Sequence, residues 1–148
     1  IGFGSELEKL NKLSVQKSKD NRCFSFELIG QISNSEVREI LGTQYFDLFI
    51  NLSKTEGIPV SIMEAQSAGI PVLATSVGGT PEIVNKKNGI LVDKDLHMGY
   101  ISRAVMAFLN DNTENVRMKR DASYNNWNKH FNAKKNYPEF IKNLIDKF

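Results

Sequence analysis

Short apolar runs alternate with longer segments of helical periodicity along this chain. Leu7, Leu10 and Leu13 recur at the spacing that places side chains on one face of a helix. Nearly all-apolar runs such as 70–75 are too short for helices and end at turn residues, which predicts strands. The predicted strands are 24–29, 46–52, 70–75 and 90–92. The predicted helices are 6–15, one that begins within 33–36, 59–68, 80–85, 96–109, 113–130 and one from about Pro138 to Phe148.

This order of elements predicts the fold class. Strands that alternate with helices, at spacings too long for hairpins, indicate βαβ units and a parallel sheet. The predicted strands are apolar on both faces, as a sheet covered by helices on both sides requires. We therefore expect an α/β fold, a Rossmann-like three-layer parallel sheet flanked by helices. Ligands of such sheets bind at the carboxyl ends of the strands. The loops of interest are 2–5, 30–34, 53–58 and 76–80.

Composition narrows the possible partners. The chain has 148 residues, 41% hydrophobic and 24% charged, which fits one globular domain over 1–148. A net charge of +2 without a long basic run argues against nucleic acid as a partner. The single cysteine, Cys23, cannot form an internal disulfide; beside an apolar run it is expected to be a buried thiol, compatible with the cytoplasm. No apolar run approaches the roughly 20 residues of a membrane span.

The first residues predict a chain that begins inside a larger fold. Ile1-Gly2-Phe3-Gly4 is typical of a strand end and the turn after it, and neither an initiator methionine nor a signal peptide precedes it. We therefore expect a fragment in which the first strand of the sheet is missing.

The loop after the second predicted strand carries the candidate chemistry. Pro59 is expected at the first helical position, so that the amides of Ile58, Val60 and Ser61 lie in the first turn without intrahelical partners. Together with the helix dipole, such amides form an anion site. Gly57 leaves room for a ligand to approach the backbone. Glu64 lies about 7.5 Å along the helix axis from the start, and its carboxylate can accept two hydrogen bonds from a vicinal diol.

Simpler explanations exist for several of these residues. Two glutamates with seven residues between them occur by chance in many proteins, and Glu56 at a helix start can simply complement the dipole. Gly78-Gly79 fits a tight strand-to-helix turn as well as a close approach to a ligand. His97 and His130 have no further ligand at metal spacing, so each is expected at the surface or at a helix cap.

The run from Phe46 to Asp93 closely resembles retaining glycosyltransferases of the GT-B fold, the large family four, whose signature is two glutamates separated by seven residues. Upstream, Ile1-Gly2-Phe3-Gly4-Ser5 resembles the family's glycine turn, and Leu28–Ile32 resembles the segment that lines the base pocket. The matching pieces are Glu56-Gly-Ile-Pro-Val-Ser-Ile-Met-Glu64-Ala, Ala68-Gly-Ile-Pro-Val72, Gly78-Gly-Thr-Pro-Glu82 and Asn88-Gly-Ile-Leu-Val92.

This resemblance implies a role for each site residue in the C-terminal, donor-binding half of a GT-B enzyme. Glu56 is the expected catalytic residue and faces the donor sugar's hydroxyls. Glu64 binds the donor ribose. The remaining donor-binding residues act through the main chain: Gly57 and Ile58 toward the sugar, Val60 and Ser61 toward the diphosphate, and Gly30, Gln31 and Ile32 toward the base.

The resemblance also implies the reaction and its partners. Such enzymes transfer a sugar from a nucleotide diphosphate with retention at the anomeric carbon and use no bound metal or other cofactor. The expected donor is a UDP-sugar. The acceptor, a sugar or a lipid-linked sugar in polysaccharide or glycolipid synthesis, would bind through an N-terminal domain that this sequence lacks. The expected location is cytoplasmic or peripheral to the inner membrane.

The sequence departs from the family pattern in one respect. The arginine and lysine that clamp the diphosphate in the family are not matched here, and Lys54 is more simply a solvated loop residue. We therefore expect no transferase activity from this chain alone.

Other interpretations stay open. A glycosidase acid–base pair would need Glu56 and Glu64 to flank one bond, whereas the resemblance puts them at the sugar and the ribose. The chain could be half of a nucleotide-sugar epimerase, which shares the GT-B shape. It could also be a non-catalytic Rossmann-like binding or oligomerisation module. An exposed sheet edge would allow it to form a homo-oligomer.

Overall fold

The computed structural model describes residues 4–21, 23–95 and 97–146, so the first three residues of the predicted N-terminal turn, Leu96 and Phe148 lie outside it. The chain divides into two compact units, of which the first ends at Ile40 and the second begins at Leu41. The sequence predicted one domain over 1–148, and each unit is described by itself below.

The first unit contains helix α1, Leu7–Asp20, and most of helix α2, Asn34–Thr43, both of which were predicted. A capping box begins α2. The Ser33 amide donates to Glu36 Oε2 at 2.8 Å, and the Glu36 amide donates to Ser33 Oγ at 3.3 Å. The Ser33 hydroxyl also donates to this carboxylate at 2.6 Å, and its hydrogen bond is the main reason that the pKa of Glu36 lies below its ordinary value.

Two predictions for this unit are wrong. The segment 24–29 is not a strand, and its apolar side chains, Phe24 and Phe26 among them, are more than a third exposed. A strand requires a neighbour to complete its hydrogen bonds, and the described part of this unit consists of helices and loops. Cys23, expected to be buried beside that strand, is exposed for the same reason.

The second unit alternates strands and helices as predicted. Its strands are β1 (Phe49–Asn51), β2 (Val72–Thr75) and β3 (Gly89–Val92). Its helices are α3 (Val60–Ser67), α4 (Thr80–Ile83), α5 (Met98–Leu109), α6 (Thr113–His130) and α7 (Ala133–Ile145).

The strands form one parallel sheet in the order β1-β2-β3. Phe49 is in register with Val72, which is in register with Gly89. A Cβ on Gly89 would overlap the carbonyl oxygen of Val72, so this position requires glycine. The parallel sheet predicted from the sequence is therefore confirmed for its three later strands.

Helices cover both faces of this sheet, which confirms the three-layer arrangement. Successive residues of β2 point to opposite faces: Val72 and Ala74 pack on one face and Leu73 on the other. On the first face α3 and α4 contribute the core, and on the second face α5 does. The first core comprises Ile62, Val72, Ala74, Ile83 and Val84, with Phe49, Leu91 and Phe131 beside it. The second comprises Leu73, Val92 and Ile101, with Leu48, Ile90, Ala104 and Val105 beside it.

A buried polar network attaches α6 to the first face. The carbonyl oxygen of Ile83 accepts from Gln66 Nε2 at 2.8 Å, from Asn88 Nδ2 at 3.0 Å and from Asn126 Nδ2 at 3.1 Å. Asn126 Nδ2 also donates to Gln66 Oε1 at 2.9 Å. The Ser123 hydroxyl donates to the Asn88 carbonyl at 3.1 Å. These bonds satisfy polar groups that would otherwise destabilise the interior.

The C-terminal helix begins earlier than predicted. Helix α7 starts at Ala133 rather than near Pro138, because Asn132 caps it by accepting from the Lys134 amide at 3.1 Å. Pro138 therefore lies inside the helix. Over 4–21, 23–95 and 97–146, no helix combines the length and the apolar character needed to cross a membrane.

Candidate functional site

The loop from Leu52 to Pro59 joins β1 to α3 at the carboxyl end of the sheet. Asn51, the last residue of β1, accepts the Ser53 amide on its Oδ1 at 3.0 Å. The Ser53 carbonyl in turn accepts the hydroxyl of Thr75, the last residue of β2. The loop thus leaves the sheet with its first turn attached to the ends of two neighbouring strands.

Glu56, the predicted catalytic residue, is half-buried in this loop. Asn51 Nδ2 donates to Glu56 Oε1 at 3.3 Å. The same carboxamide therefore holds both the loop backbone, at Ser53, and the Glu56 carboxylate. This hydrogen bond orients the side chain at the edge of the sheet where α/β folds bind ligands.

The Gly78-Gly79 turn packs against the loop that carries Glu56. The Gly79 amide donates to the Gly57 carbonyl at 2.7 Å. A Cβ on Gly79 would lie 2.7 Å from Ile58 Cγ1, and a Cβ on Gly78 would overlap the Glu56 carbonyl. The sequence suggested either a tight turn into a helix or a close approach to a ligand. The two glycines do form the turn into α4, and they also allow the backbone of the Glu56 loop to pack against that turn.

Helix α3 begins directly after the loop that carries Glu56. Pro59 is its N-cap rather than its first helical residue, with φ −73° and ψ 113°. The first intrahelical bond runs from the Ile62 amide to the Pro59 carbonyl at 3.1 Å. The amides of Val60 and Ser61 precede that donor and belong to the set that a helix leaves without intrahelical acceptors. The helix therefore begins one residue later than predicted, and the anion site at its first turn stays a prediction.

The second glutamate lies one turn further along α3. Glu64 is half-buried, and its carbonyl accepts the Ser67 hydroxyl at 2.7 Å. At 1.5 Å per residue, it stands about 6 Å along the axis from Val60. Gly57 and Ile58, exposed in the loop, complete the predicted site residues of this unit.

A cavity of about 420 Å³ opens at the carboxyl ends of all three strands. Glu56 is the predicted site residue on its wall, and Lys54 also lines it. The loop after β3, where the Asp95 amide donates to Asp93 Oδ1 at 2.9 Å, was not among the loops of interest predicted from the sequence. The rule that ligands bind where parallel strands end would have found it. The lining residues are Lys54, Thr55, Glu56, Ser76, Val77, Gly78, Asp93, Lys94 and Asp95.

The three residues predicted to contact the base lie in the first unit. Gly30 has φ +77° and open space where a Cβ would be, so its conformation, rather than crowding, favours glycine. Gln31 is exposed and Ile32 half-buried, immediately before the capping box of α2. The two histidines are not part of the site: His97 Nδ1 caps α5 by accepting from the Gly99 amide at 3.1 Å, and His130 is the last residue of α6.

The sequence matches a known protein family. The family model for glycosyl transferases group 1 matches residues 1–125. The O-antigen biosynthesis glycosyltransferase WbnH of Escherichia coli is 33% identical over 93 residues, which is 63% of this chain and 24% of the relative. The chain therefore spans about a quarter of the length of this relative.

Solved structures agree on the fold. HepE of Anabaena, in complex with UDP-glucose, superposes with a TM-score of 0.76 at 19% identity, over 98% of this chain and 39% of that one. The C-terminal domain of LpcC from Francisella tularensis, a glycosyl transferase group 1 protein, has a TM-score of 0.67 at 20% identity, over 88% and 66% of the two chains.

Proposed function

This chain belongs to the glycosyl transferases of group 1 and has the fold of the C-terminal domain of GT-B enzymes, and on that premise we propose that it binds a nucleotide-diphosphate sugar for retaining transfer to an acceptor. The reaction would belong to polysaccharide or glycolipid synthesis. The observation that carries the proposal is the position of Glu56, which Asn51 holds at the carboxyl end of the sheet, in the loop that leads into the N-terminus of α3.

The proposed roles follow the chemistry of the groups. The amides of Val60 and Ser61, with the positive end of the α3 dipole, would bind the diphosphate and stabilise the charge that develops as it leaves. Glu64, one turn along the helix, would accept hydrogen bonds from the ribose hydroxyls.

The donor sugar would lie beside the loop before α3. Glu56 would accept from sugar hydroxyls, with the backbone of Gly57 and Ile58 next to the reacting carbon. During transfer, the bond from the anomeric carbon to the diphosphate oxygen would break, the oxygen of the acceptor hydroxyl would bond to the same face, and its proton would pass to the departing diphosphate. The proposed base contacts, Gly30, Gln31 and Ile32, lie in the first unit.

Two observations on relatives support the choice of donor and process. HepE was solved with UDP-glucose, which makes a UDP-sugar the first donor to test. WbnH is named for O-antigen biosynthesis, a polysaccharide. Because this chain spans about a quarter of that relative, we propose that the 148 residues bind a donor without transferring sugar by themselves.

The test is a titration of the ¹⁵N-labelled protein with UDP, GDP and ADP, followed by amide chemical shifts. We expect one nucleotide to shift the signals of Val60, Ser61 and Glu64, with a dissociation constant as weak as about 1 mM. Glu64→Ala should raise that constant about tenfold or more, since it removes hydrogen bonds to a charged acceptor. Glu114→Ala, an exposed carboxylate on α6, is the matched control and should bind like the wild type. No shift with any nucleotide would overturn the proposal.

A further inference from the structure

The side chain of Asn51 lies between the end of β1 and the Glu56 carboxylate. Its Oδ1 accepts from the Ser53 amide at 3.0 Å, and its Nδ2 donates to Glu56 Oε1 at 3.3 Å. Because Asn51 belongs to β1 and is in register with Ala74 of the central strand, the carboxamide is attached to the most regular part of the second unit. A half-buried amide in this position offers one fixed donor to the carboxylate.

Two further hydrogen bonds of the loop are made by its backbone carbonyls. Thr75 holds the Ser53 carbonyl, and the Gly79 amide holds the Gly57 carbonyl at 2.7 Å. These bonds place the Cα of Glu56, but three side-chain torsions still separate that atom from the carboxylate. The Asn51 hydrogen bond acts on the carboxylate itself.

We propose that Asn51 is a positioning residue for Glu56, and that it directs the carboxylate toward the hydroxyls of the bound sugar. A carboxylate has two oxygens, each able to accept hydrogen bonds. The hydrogen bond from Asn51 restrains Oε1 and leaves Oε2 as the oxygen available to a ligand. This inference rests on the proposed function, because it assigns Asn51 to the sugar-dependent part of donor binding and not to binding of the nucleotide.

Asn51→Asp separates the two hydrogen bonds of this side chain. The aspartate keeps an oxygen that can accept from the Ser53 amide, but it replaces the N–H donor with an oxygen that repels Glu56. The loop turn is therefore retained while the orientation of Glu56 is lost. Asn51→Ala removes both bonds and shows the effect of losing the turn as well.

The binding experiment compares a nucleotide with its sugar conjugate on the same protein. The pairs are UDP with UDP-glucose and GDP with GDP-mannose, measured by calorimetry. For the pair that the wild type binds, we expect Asn51→Asp to reduce the affinity ratio of conjugate to nucleotide about tenfold, as expected for a hydrogen bond to a charged group. Affinity for the nucleotide alone should stay within about twofold. Glu56→Gln should reduce the same ratio. If Asn51→Asp keeps the wild-type ratio while Glu56→Gln loses it, the inference is wrong.

A second readout needs no ligand, so it separates this inference from the proposed function. The side-chain NH₂ signals of Asn51 report its contact with the carboxylate in a ¹⁵N spectrum. We expect Glu56→Ala to shift them, and Glu114→Ala, on α6, to leave them unchanged. If Glu56→Ala shifts the Asn51 signals but the wild type binds no nucleotide, the contact between Asn51 and Glu56 is supported and the proposed donor site is contradicted. Unchanged signals in Glu56→Ala would overturn the inference, whatever the protein binds.

Discussion

Gly78 lies directly against the main-chain carbonyl of Glu56, so closely that a Cβ on Gly78 would overlap the carbonyl oxygen and lie 2.8 Å from the carbonyl carbon. Its φ of +52° is in the left-handed region, which disfavours side chains independently of space. The position of Glu56 therefore depends on a residue after β2 that has no side chain.

Gly78→Ala is predicted to destabilise the protein by more than its backbone conformation requires. Gly69 is the matched control, because its φ is +67° and a Cβ there would meet its nearest neighbour, the Arg120 carbonyl, at an ordinary 3.5 Å. Gly69→Ala should lower the free energy of unfolding by about 1–2 kcal/mol, the cost of a left-handed backbone. Gly78→Ala should lower it by roughly 1–3 kcal/mol more, the usual cost of overpacking.

Urea unfolding of both variants measures this difference. Amide shifts add a positional check: those of Glu56 and Gly57 should move in Gly78→Ala and stay in place in Gly69→Ala. Equal free energies of unfolding for the two variants would contradict the prediction, because they would show that the Glu56 loop moves away from a Cβ at position 78 without loss of stability.

Gln66 and Asn126 are predicted to contribute to stability as a unit. Both donate to the Ile83 carbonyl, at 2.8 and 3.1 Å, and Asn126 also donates to Gln66 Oε1 at 2.9 Å. Each single alanine variant leaves polar groups of the other residue unpaired, which costs roughly 1–3 kcal/mol in addition to lost packing. The double variant should therefore be less destabilised than the sum of the two, with a coupling of about 0.5–3 kcal/mol. Additive free energies of unfolding in this double-mutant cycle would contradict the network.

The sequence predicted the sheet of the second unit because each strand there is a short apolar run whose neighbours along the chain are also its neighbours in space. The segment 24–29 shows the same pattern but forms no strand. An apolar pattern shows that a segment can be buried, but a strand also needs a neighbouring strand, which the local sequence does not specify.

The start of α7 was predicted wrongly because proline is typical of helix starts. The residue that caps this helix is Asn132, which lies upstream of Pro138.

The site was predicted in part. The loop of Glu56 and the first turn of α3 follow from a local pattern of glycine, proline and glutamate, together with the resemblance. Asn51 did not follow, because its contact with Glu56 depends on how the loop folds back over the end of β1. Nor did the contact of Gly78 with Glu56, which joins residues 22 positions apart across two strands. Such contacts depend on the register of the strands and on the path of the loop, which the spacing of residues along the chain does not determine.

Asp111, before α6, is predicted to make stability depend on pH in the acid range. Its carboxylate accepts from Asn115 Nδ2 at 2.8 Å and pairs with Lys119 Nζ at 2.9 Å. The Asn115 hydrogen bond first, and the Lys119 hydrogen bond second, hold the pKa of Asp111 below its ordinary value. A pKa that is lower in the folded state adds stability above the unfolded value of about 3.9, and that stability is lost as the pH falls through the folded value.

Asp111→Asn tests this dependence. The variant should melt at a lower temperature than the wild type at pH 7, and the two melting temperatures should converge as the pH falls from about 4 through the lower pKa of the folded carboxylate. Glu114→Gln is the control, because it removes an exposed pair with Arg117 and should change little at either pH. A constant difference between wild type and Asp111→Asn from pH 7 to pH 3 would mean that packing, not ionisation, explains the loss.

Pro138 is predicted to destabilise the helix that contains it. As an interior residue of α7 it has no N–H to donate to the Lys134 carbonyl, one turn earlier. A proline ring inside a helix generally also clashes with the carbonyl four residues before it. Pro138→Ala should therefore stabilise α7 locally, by up to about 3 kcal/mol on the helix-propensity scale. Amide hydrogen exchange over 134–142 measures this, since it reports local opening rather than global unfolding.

Asn132→Ala provides the opposite change in the same helix. It removes the cap on the Lys134 amide and should weaken exchange protection over the first turn by about 1 kcal/mol. The two variants together decide what sets the stability of α7. If Pro138→Ala increases protection and Asn132→Ala decreases it, the helix is limited by its own backbone. If Pro138→Ala instead decreases protection, the proline ring must contribute packing that outweighs the missing hydrogen bond, and α7 would depend on its side chains more than on its cap.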